Sequence, residues 1–449
     1  MRIDRIDVDS LLYTYPPEKR FQYAGGVCTA RVTSLVRVHT DDGAIGVGSA
    51  YSYPALVHLV VKQQLEPLLL GKDPTRVEEL WELMYRVTRW YGRKGAAMSA
   101  IGALDTAFWD LAGQAAGVPV WALLKRGSGA ADRPGPERAG PDRPGEDRPG
   151  EDLPTAGGRG AGSPAAECPA YASALLWDEP DALAAEAAGH IEAGFRRVKM
   201  RLGRSERYDR EAVRAVREAI GSGADLMADA SMRYDPATAR SMADYLASME
   251  VFWLEEPFQP EDLDAYAALR EASPVPLAAG ENEFGLQGFR ELVRARAVDI
   301  LQPDAGRCGG ITEVLRVARL AEREGLRIAT HTWSDAVTLI ANAHVVSSTP
   351  CGLTVEVDRT GNPFIDELTE EPPAVRDGRL RLTDEPGLGI RLNRETVDRY
   401  RMEDPLRIPD GAYSDMVFGS AFHAPAEPYE TRPPGSGPGG TENEGEADA

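Results

Sequence analysis

Cysteine is scarce in this chain and never grouped. Cys28, Cys168, Cys308 and Cys351 are scattered, with no CxxC spacing, so reduced and mostly buried thiols in a cytosolic protein are expected. Long hydrophobic runs are also missing, and no stretch is apolar and long enough to span a membrane. Met1-Arg2-Ile3-Asp4 leads straight into a strand-like pattern, so no secretory leader is expected and a cytoplasmic location is. Basic side chains are in deficit, 50 Lys and Arg against 71 Asp and Glu, for a formal net charge of −21. That balance argues against non-specific nucleic-acid binding. It says little about a small anionic substrate, which would respond to the local field of its site.

What is present is a large apolar fraction and a regular rhythm. With 449 residues and 43% hydrophobic content the chain can bury at least one large core, and two domains are expected. The rhythm is clearest around Val251-Phe252-Trp253-Leu254-Glu255-Glu256-Pro257, an apolar run ending in two carboxylates and a proline. It reads as a strand buried on both faces. Similar runs end at Asp229, Glu281, Asp304, His331 and Glu356, at intervals of 23 to 27 residues. Each interval fits one strand, one loop and one three-turn helix. Strands that each end in an ionisable residue describe the catalytic rim of a parallel β/α barrel.

In chain order, residues 1–50 alternate apolar and polar side chains around the turn Thr40-Asp41-Asp42-Gly43, as in an antiparallel hairpin. Tyr13 to Val27 reads as a mobile loop. A helical period follows from Val57 to Leu124, clearest in Ala97 to Ala116. An α+β domain of residues 1–126 is therefore expected before the barrel. Residues 127–167 repeat Asp-Arg-Pro-Gly with almost no apolar side chain and are expected to be a disordered linker. The barrel is expected over 168–358, with 359–424 returning to the first domain and 425–449 forming a disordered acidic tail. In the strand Phe195 to Leu202, alternation puts Lys199 and Arg201 on one face.

Asp229, Glu255 and Glu281 end three consecutive strands. Carboxylates converging there repel unless a hard divalent cation holds them, and all-oxygen ligation suits Mg²⁺. The alternative pairs each acid with a lysine or arginine, or uses it to cap the next helix. Three acids at matched strand ends favour the cation. Glu256 competes with Glu255 for the ligand role, because alternation alone does not say which faces inward.

Lys199-x-Arg201, Asp229-Ala230-Ser231, Trp253-Leu254-Glu255-Glu256-Pro257, Ala279-Gly280-Glu281-Asn282, Gln302-Pro303-Asp304 with Gly309-Gly310, Thr330-His331-Thr332 and Val355-Glu356-Val357 resemble the enolase superfamily, in its mandelate racemase subgroup. Ala103 to Asp110 is similar to that superfamily's capping-domain helix. The resemblance covers nearly the whole chain apart from the linker and tail. It implies an α/β fold, a modified TIM barrel of type (β/α)7β with an α+β capping domain, and it selects Glu255 over Glu256. It also implies one Mg²⁺ per subunit.

The same resemblance makes His331 with Asp304 the general base on one side of the substrate. Asp304 can orient the imidazole and raise its basicity. Two-base members have Lys-x-Lys where this chain has Lys199-x-Arg201. A guanidinium is a poor proton acceptor, which weakens a two-base racemisation. Lys199 would support the enediolate beside the substrate carboxylate. Glu356 matches a glutamate that donates a hydrogen bond there when protonated. Ser231 stands where the subgroup usually has asparagine.

Candidate substrate contacts are Tyr51, Trp90, Arg93 and Lys94, in segments expected to close over the barrel. Trp90 to Gly95 resembles a segment of acid-sugar dehydratases, although Arg93 and Lys94 read equally well as solvated turn residues. The expectation is a Mg²⁺-dependent dehydratase of a sugar acid, an aldonate or aldarate, that forms a 2-keto-3-deoxy acid. An epimerase, racemase or cycloisomerase on another carboxylate is the alternative within the fold. A non-catalytic interaction protein is the alternative outside it. The partner expected is a small carboxylate, with no nucleic acid or membrane, in a homo-oligomer.

Overall fold

The computed structural model describes residues 1–24, 26–128, 166–409, 411–413, 416–418 and 428–431. Most of the expected linker lies outside these residues. Its first two residues close the helix Val120–Ser128, and Glu167 opens a barrel strand. The expected tail also lies outside them except at 428–431, where Tyr429 packs edge-on against Tyr234 and Glu430 bridges to Ser205.

The first domain is built on β1 (Ile3–Thr14), β2 (Phe21–Tyr23), β3 (Gly26–Cys28), β4 (Ala30–Thr40) and β5 (Ile45–Ala50). Strands β1, β4 and β5 form an antiparallel sheet in the order β1-β4-β5. Ile6, Val36 and Val38 point from it into a core shared with the helix Ala96–Ala116. Glycine permits that close packing. A Cβ on Gly48 would lie 1.9 Å from the Ala103 carbonyl oxygen, and one on Gly46 2.2 Å from that of Ala107. Gly117, left-handed at φ 65°, ends the helix.

The stretch expected as a loop between Tyr13 and Val27 instead carries the β2–β3 hairpin, with Phe21 opposite Cys28. Its aromatic side chains explain the order. Phe21 and Tyr23 pack against the buried Tyr51, Leu176 and Trp333, and the Trp177 amide donates to the Gln22 carbonyl at 3.0 Å. The hairpin thus sits on the barrel mouth.

Eight parallel strands close the barrel: β6 (Glu167–Ser173), β7 (Arg197–Arg201), β8 (Asp225–Asp229), β9 (Val251–Glu255), β10 (Leu277–Ala279), β11 (Ile300–Leu301), β12 (Arg327–Thr330) and β13 (Gly352–Asp358). The pair β13–β6 completes the ring, with Val355 opposite Ala170. A helix of at least 10 residues follows each strand but the last, which is followed only by the short Pro363–Asp366, so the expected (β/α)7β barrel with an α+β cap is the observed fold. The lumen is filled by Tyr171, Met227, Trp253, Ala278, Ile300, Ala329 and Leu353. Leu254 points the other way, into the core between strands and helices. Glu255 therefore shares the lumen side with Trp253, which decides the question that alternation left open.

Cap and barrel are bolted by buried acids. Asp105, on the helix Ala96–Ala116, accepts from the Thr312 amide at 2.8 Å and the Thr312 hydroxyl at 2.6 Å, capping the barrel helix Ile311–Arg323. A Cβ on Gly310 would lie 2.4 Å from the Asp105 carboxylate, which explains the Gly309-Gly310 pair. Asp335 accepts from Thr33 and Ser49 of the cap sheet. Beyond the barrel, Leu11 bridges to Arg401 and the Met402 amide donates to the Ser10 carbonyl, so the chain comes back to the cap.

Candidate active site

Parallel register sets the site. Arg201 is opposite Asp229, and Asp229 is opposite Glu255, at the C-terminal ends of β7, β8 and β9. Glu281 lies two residues beyond the end of β10. Gly280, at φ 134°, turns the chain where a Cβ would meet the Phe289 ring at 2.8 Å. One carboxylate oxygen from each of Asp229, Glu255 and Glu281 falls within 4.8 Å of the other two, and all three residues are buried.

Two cations offset this charge. Lys199 Nζ is 2.5 Å from Glu255 Oε1, 2.9 Å from Glu356 Oε1 and 3.7 Å from Asp229 Oδ2. Arg201 is ion-paired with Asp229. The Ser231 amide and hydroxyl also donate to Asp229, at 2.7 and 3.2 Å, so serine here orients the carboxylate. The Trp253 indole donates to Glu255 Oε2 at 2.9 Å. Compensation is incomplete at Glu281. Its Oε2 is buried without a hydrogen-bond partner among the described residues, and burial raises its pKa against the pull of His331 and Arg201. Three convergent buried carboxylates, one with an unsatisfied oxygen, fit a hard divalent cation.

His331 ends β12 and faces this cluster. Its Nδ1 is 2.8 Å from Asp304 Oδ2, so Asp304 holds the Nδ1 proton and Nε2 points at the carboxylates. Among the described residues Nε2 has no hydrogen-bond partner, and it lies 3.7 Å from Glu281 Oε2 and 3.9 Å from Glu356 Oε2. Burial alone would lower the imidazole pKa. Glu281, Glu356 and Asp304 outweigh it and raise the pKa to about 9. Asn342 steadies the pair, donating to the His331 carbonyl at 2.9 Å and to Asp304 Oδ1 at 3.4 Å.

Glu356 lies between Lys199 and His331. Burial would raise its pKa, but Lys199, His331 and Arg201 bring it down to about 2. It is an anion that accepts from the Thr332 amide at 2.8 Å.

The candidate substrate residues separate. Tyr51 is buried with its ring 6.3 Å from that of His331. Lys94 pairs with Glu283 at 2.9 Å, just past Glu281. Trp90 is 79% exposed and Arg93 is also at the surface, so neither is brought to the carboxylates.

Of the residues around the site, Glu256 carried a strand-end signal, whereas Asn282, Arg307, Trp333 and Arg31 carried none. Glu256, at φ 37°, is held away from the lumen by two hydrogen bonds from Asn282 Nδ2, and Arg307 donates to Asn282 Oδ1 at 3.0 Å. Trp333 and Arg31 are also buried, with the Arg31 guanidinium 4.4 Å from the indole centroid. A separate surface cavity of about 920 Å³, lined by Glu370, Arg376, Arg379 and Arg391, lies by the start of β6, at the opposite barrel end from these groups.

Comparison with known proteins extends the description. Residues 11–125 match the family model for the mandelate racemase / muconate lactonizing enzyme N-terminal domain, and residues 182–396 match that for the enolase C-terminal domain-like group. The chain is 33% identical over 383 residues to D-galactarolactone cycloisomerase of Agrobacterium fabrum, covering 84% of this chain and 93% of that protein. It is 29% identical over 370 residues to arabinonate dehydratase of Saccharolobus solfataricus, covering 81% and 89%. Among solved structures, L-talarate dehydratase from Polaromonas sp. JS666, complexed with Mg and L-glucarate, superposes with a TM-score of 0.72 at 28% identity, covering 90% of this chain and 98% of that one.

Proposed function

The chain belongs to the enolase superfamily, in its mandelate racemase / muconate lactonizing enzyme group, and from that premise we propose that it is a Mg²⁺-dependent dehydratase of a sugar acid. The observation that carries this reading is the pairing of an open His331 Nε2 with an arginine at 201. With the carboxylate charge taken up by a bound cation, His331 Nε2 becomes the proton acceptor that faces them, and the second cation of the lysine motif is a guanidinium ion-paired with Asp229.

Asp229, Glu255 and Glu281 would hold one Mg²⁺ per subunit. Bound there, the ion supplies positive charge to the developing enediolate and takes over charge that the carboxylates otherwise share with their cationic neighbours. His331 Nε2 takes the α-proton, and the C–H electron pair moves into the carboxylate as an enediolate. Lys199 stabilises that charge from β7. Electrons return to break the bond between C3 and its hydroxyl, and the His331 imidazolium protonates the leaving hydroxide to water. The enol then tautomerises to a 2-keto-3-deoxy acid. Asp304 keeps the ring oriented throughout.

The test is a library of aldonates and aldarates with Mg²⁺, assayed for 2-keto-acid formation, with His331→Asn as the control. A second reading has specific support in the cycloisomerase relative. Adding sugar lactones to the library addresses it. Lactone turnover with no 2-keto acid would replace dehydration by isomerisation at the same site, and exchange of α-deuterium alone would favour epimerisation.

A further inference from the structure

Trp333 stands between two guanidinium groups that come from different domains. Arg31 Cζ lies 4.4 Å from the indole centroid and Arg201 Cζ lies 5.1 Å from it. All three side chains are buried, Trp333 at 3% and Arg31 at 2% exposure. Arg31 is on β4, just after the hairpin, and its guanidinium also lies 5.5 Å from the Phe21 ring. It is fixed by Asp358 at 3.0 Å, by the Thr360 hydroxyl at 2.8 Å and by the Tyr15 hydroxyl at 3.2 Å. Arg201 is fixed at its other end by Asp229. A continuous stack thus runs from Phe21 on the hairpin through Arg31, Trp333 and Arg201 to a carboxylate of the candidate metal set.

Stacking of a guanidinium on indole is strongest where water is excluded, as here. A planar fork can lie on a ring and bind a carboxylate at once, whereas a lysine ammonium is a point charge without a stacking face. That offers a physical reason for arginine at 201. We propose that Trp333 and Arg31 are positioning residues that hold Arg201 against Asp229, so that the seating of the Phe21–Cys28 hairpin on the barrel sets the charge beside the metal carboxylates. The proposal rests on the acid-sugar reading for its kinetic readout only.

The test is a double-mutant cycle in the full-length enzyme with Mg²⁺ present. Trp333→Leu lowers kcat/KM about tenfold, Trp333→Phe keeps it within about threefold of the parent, and Arg31→Lys loses about threefold. In an Arg201→Met background each change costs less than about twofold, because the group being positioned is gone. Equal losses in both backgrounds, or no loss in Trp333→Leu, overturn the proposal. If Trp333→Leu does not fold, Arg31→Lys and Trp333→Phe carry the cycle. If the parent turns over no sugar acid, the functional reading fails by itself. The cycle is then read on the Mg²⁺ dissociation constant by calorimetry, where Trp333→Leu shifts it at least about threefold only when Arg201 is present. No shift there, or no Mg²⁺ binding at all, overturns the proposal as well.

Discussion

At His331 the two ring nitrogens have separate duties. Nδ1 is committed to Asp304, and Nε2 faces the carboxylates, where the proposed reaction uses it. Asparagine keeps the size and polarity but cannot accept a proton at that point. His331→Asn should therefore lose at least about 10²-fold in turnover with its melting temperature close to the parent's. Parent-like activity in that variant would remove His331 from the mechanism. A second residue-scale prediction concerns Asp105. Burial raises its pKa from 3.8 to about 7, against the pull of Thr312. Between those values the folded chain binds more protons than the unfolded one, so this group's contribution to stability is lost as pH rises through the window. The slope is at most about 1.4 kcal/mol per pH unit. Asp105→Asn mimics the protonated acid, and its urea midpoint should fall less than the parent's between pH 5 and 8. An unchanged pH dependence would mean that Asp105 does not carry a proton in the fold.

Elements matter through how they end and how closely they approach. β7, β8 and β9 are in parallel register, so Arg201, Asp229 and Glu255 share one height. The chain leaves two of these strands in strained conformations, at Ser231 with φ 49° and Glu256 with φ 37°. Such backbone persists where the surroundings over-determine it. Ser231 keeps its bonds to Asp229, and Glu256 is clamped by Asn282. On the cap, the sheet touches the helix Ala96–Ala116 through backbone atoms. Gly48→Ala would place a methyl 1.9 Å from the Ala103 carbonyl oxygen and force the helix away from the sheet. That should cost about 1–3 kcal/mol, read as a lower chemical midpoint. Because the same helix caps Ile311–Arg323 through Asp105, kcat should fall with stability in this variant.

Over the whole molecule, metal and fold are linked through the carboxylates that three separate strands deliver. A cation that binds the folded site and not the open chain stabilises the fold by about 2.7 kcal/mol at a hundredfold excess over its dissociation constant. Adding Mg²⁺ should raise the melting temperature. EDTA should reverse the gain, and Glu255→Gln should abolish most of it. Parent and variant rising equally would place the ion elsewhere.

Much of this arrangement was legible along the chain, because a barrel repeats one local unit and each unit ends on the same rim. Periodic carboxylates and a histidine at strand ends determined the parallel β/α order, the three-acid cluster and the His331–Asp304 pair, and the resemblance of the motifs implied the (β/α)7β form. What spacing could not carry was anything that depends on contact between distant segments. The lumen side of Glu255 was decided by Trp253 packing among the other strands' inner residues. The charge on Glu356 was decided by Lys199 from β7 and His331 from β12. The hairpin Phe21–Cys28 is too short and too rich in glycine at its turn to announce itself, and it is ordered by a barrel surface that lies far along the chain. Trp333 sits two residues from His331, and nothing in the spacing singles it out. Only the folded chain brings Arg31 and Arg201, 170 positions apart in sequence, onto its two sides, because side-chain stacking is set by tertiary distance and leaves no period behind.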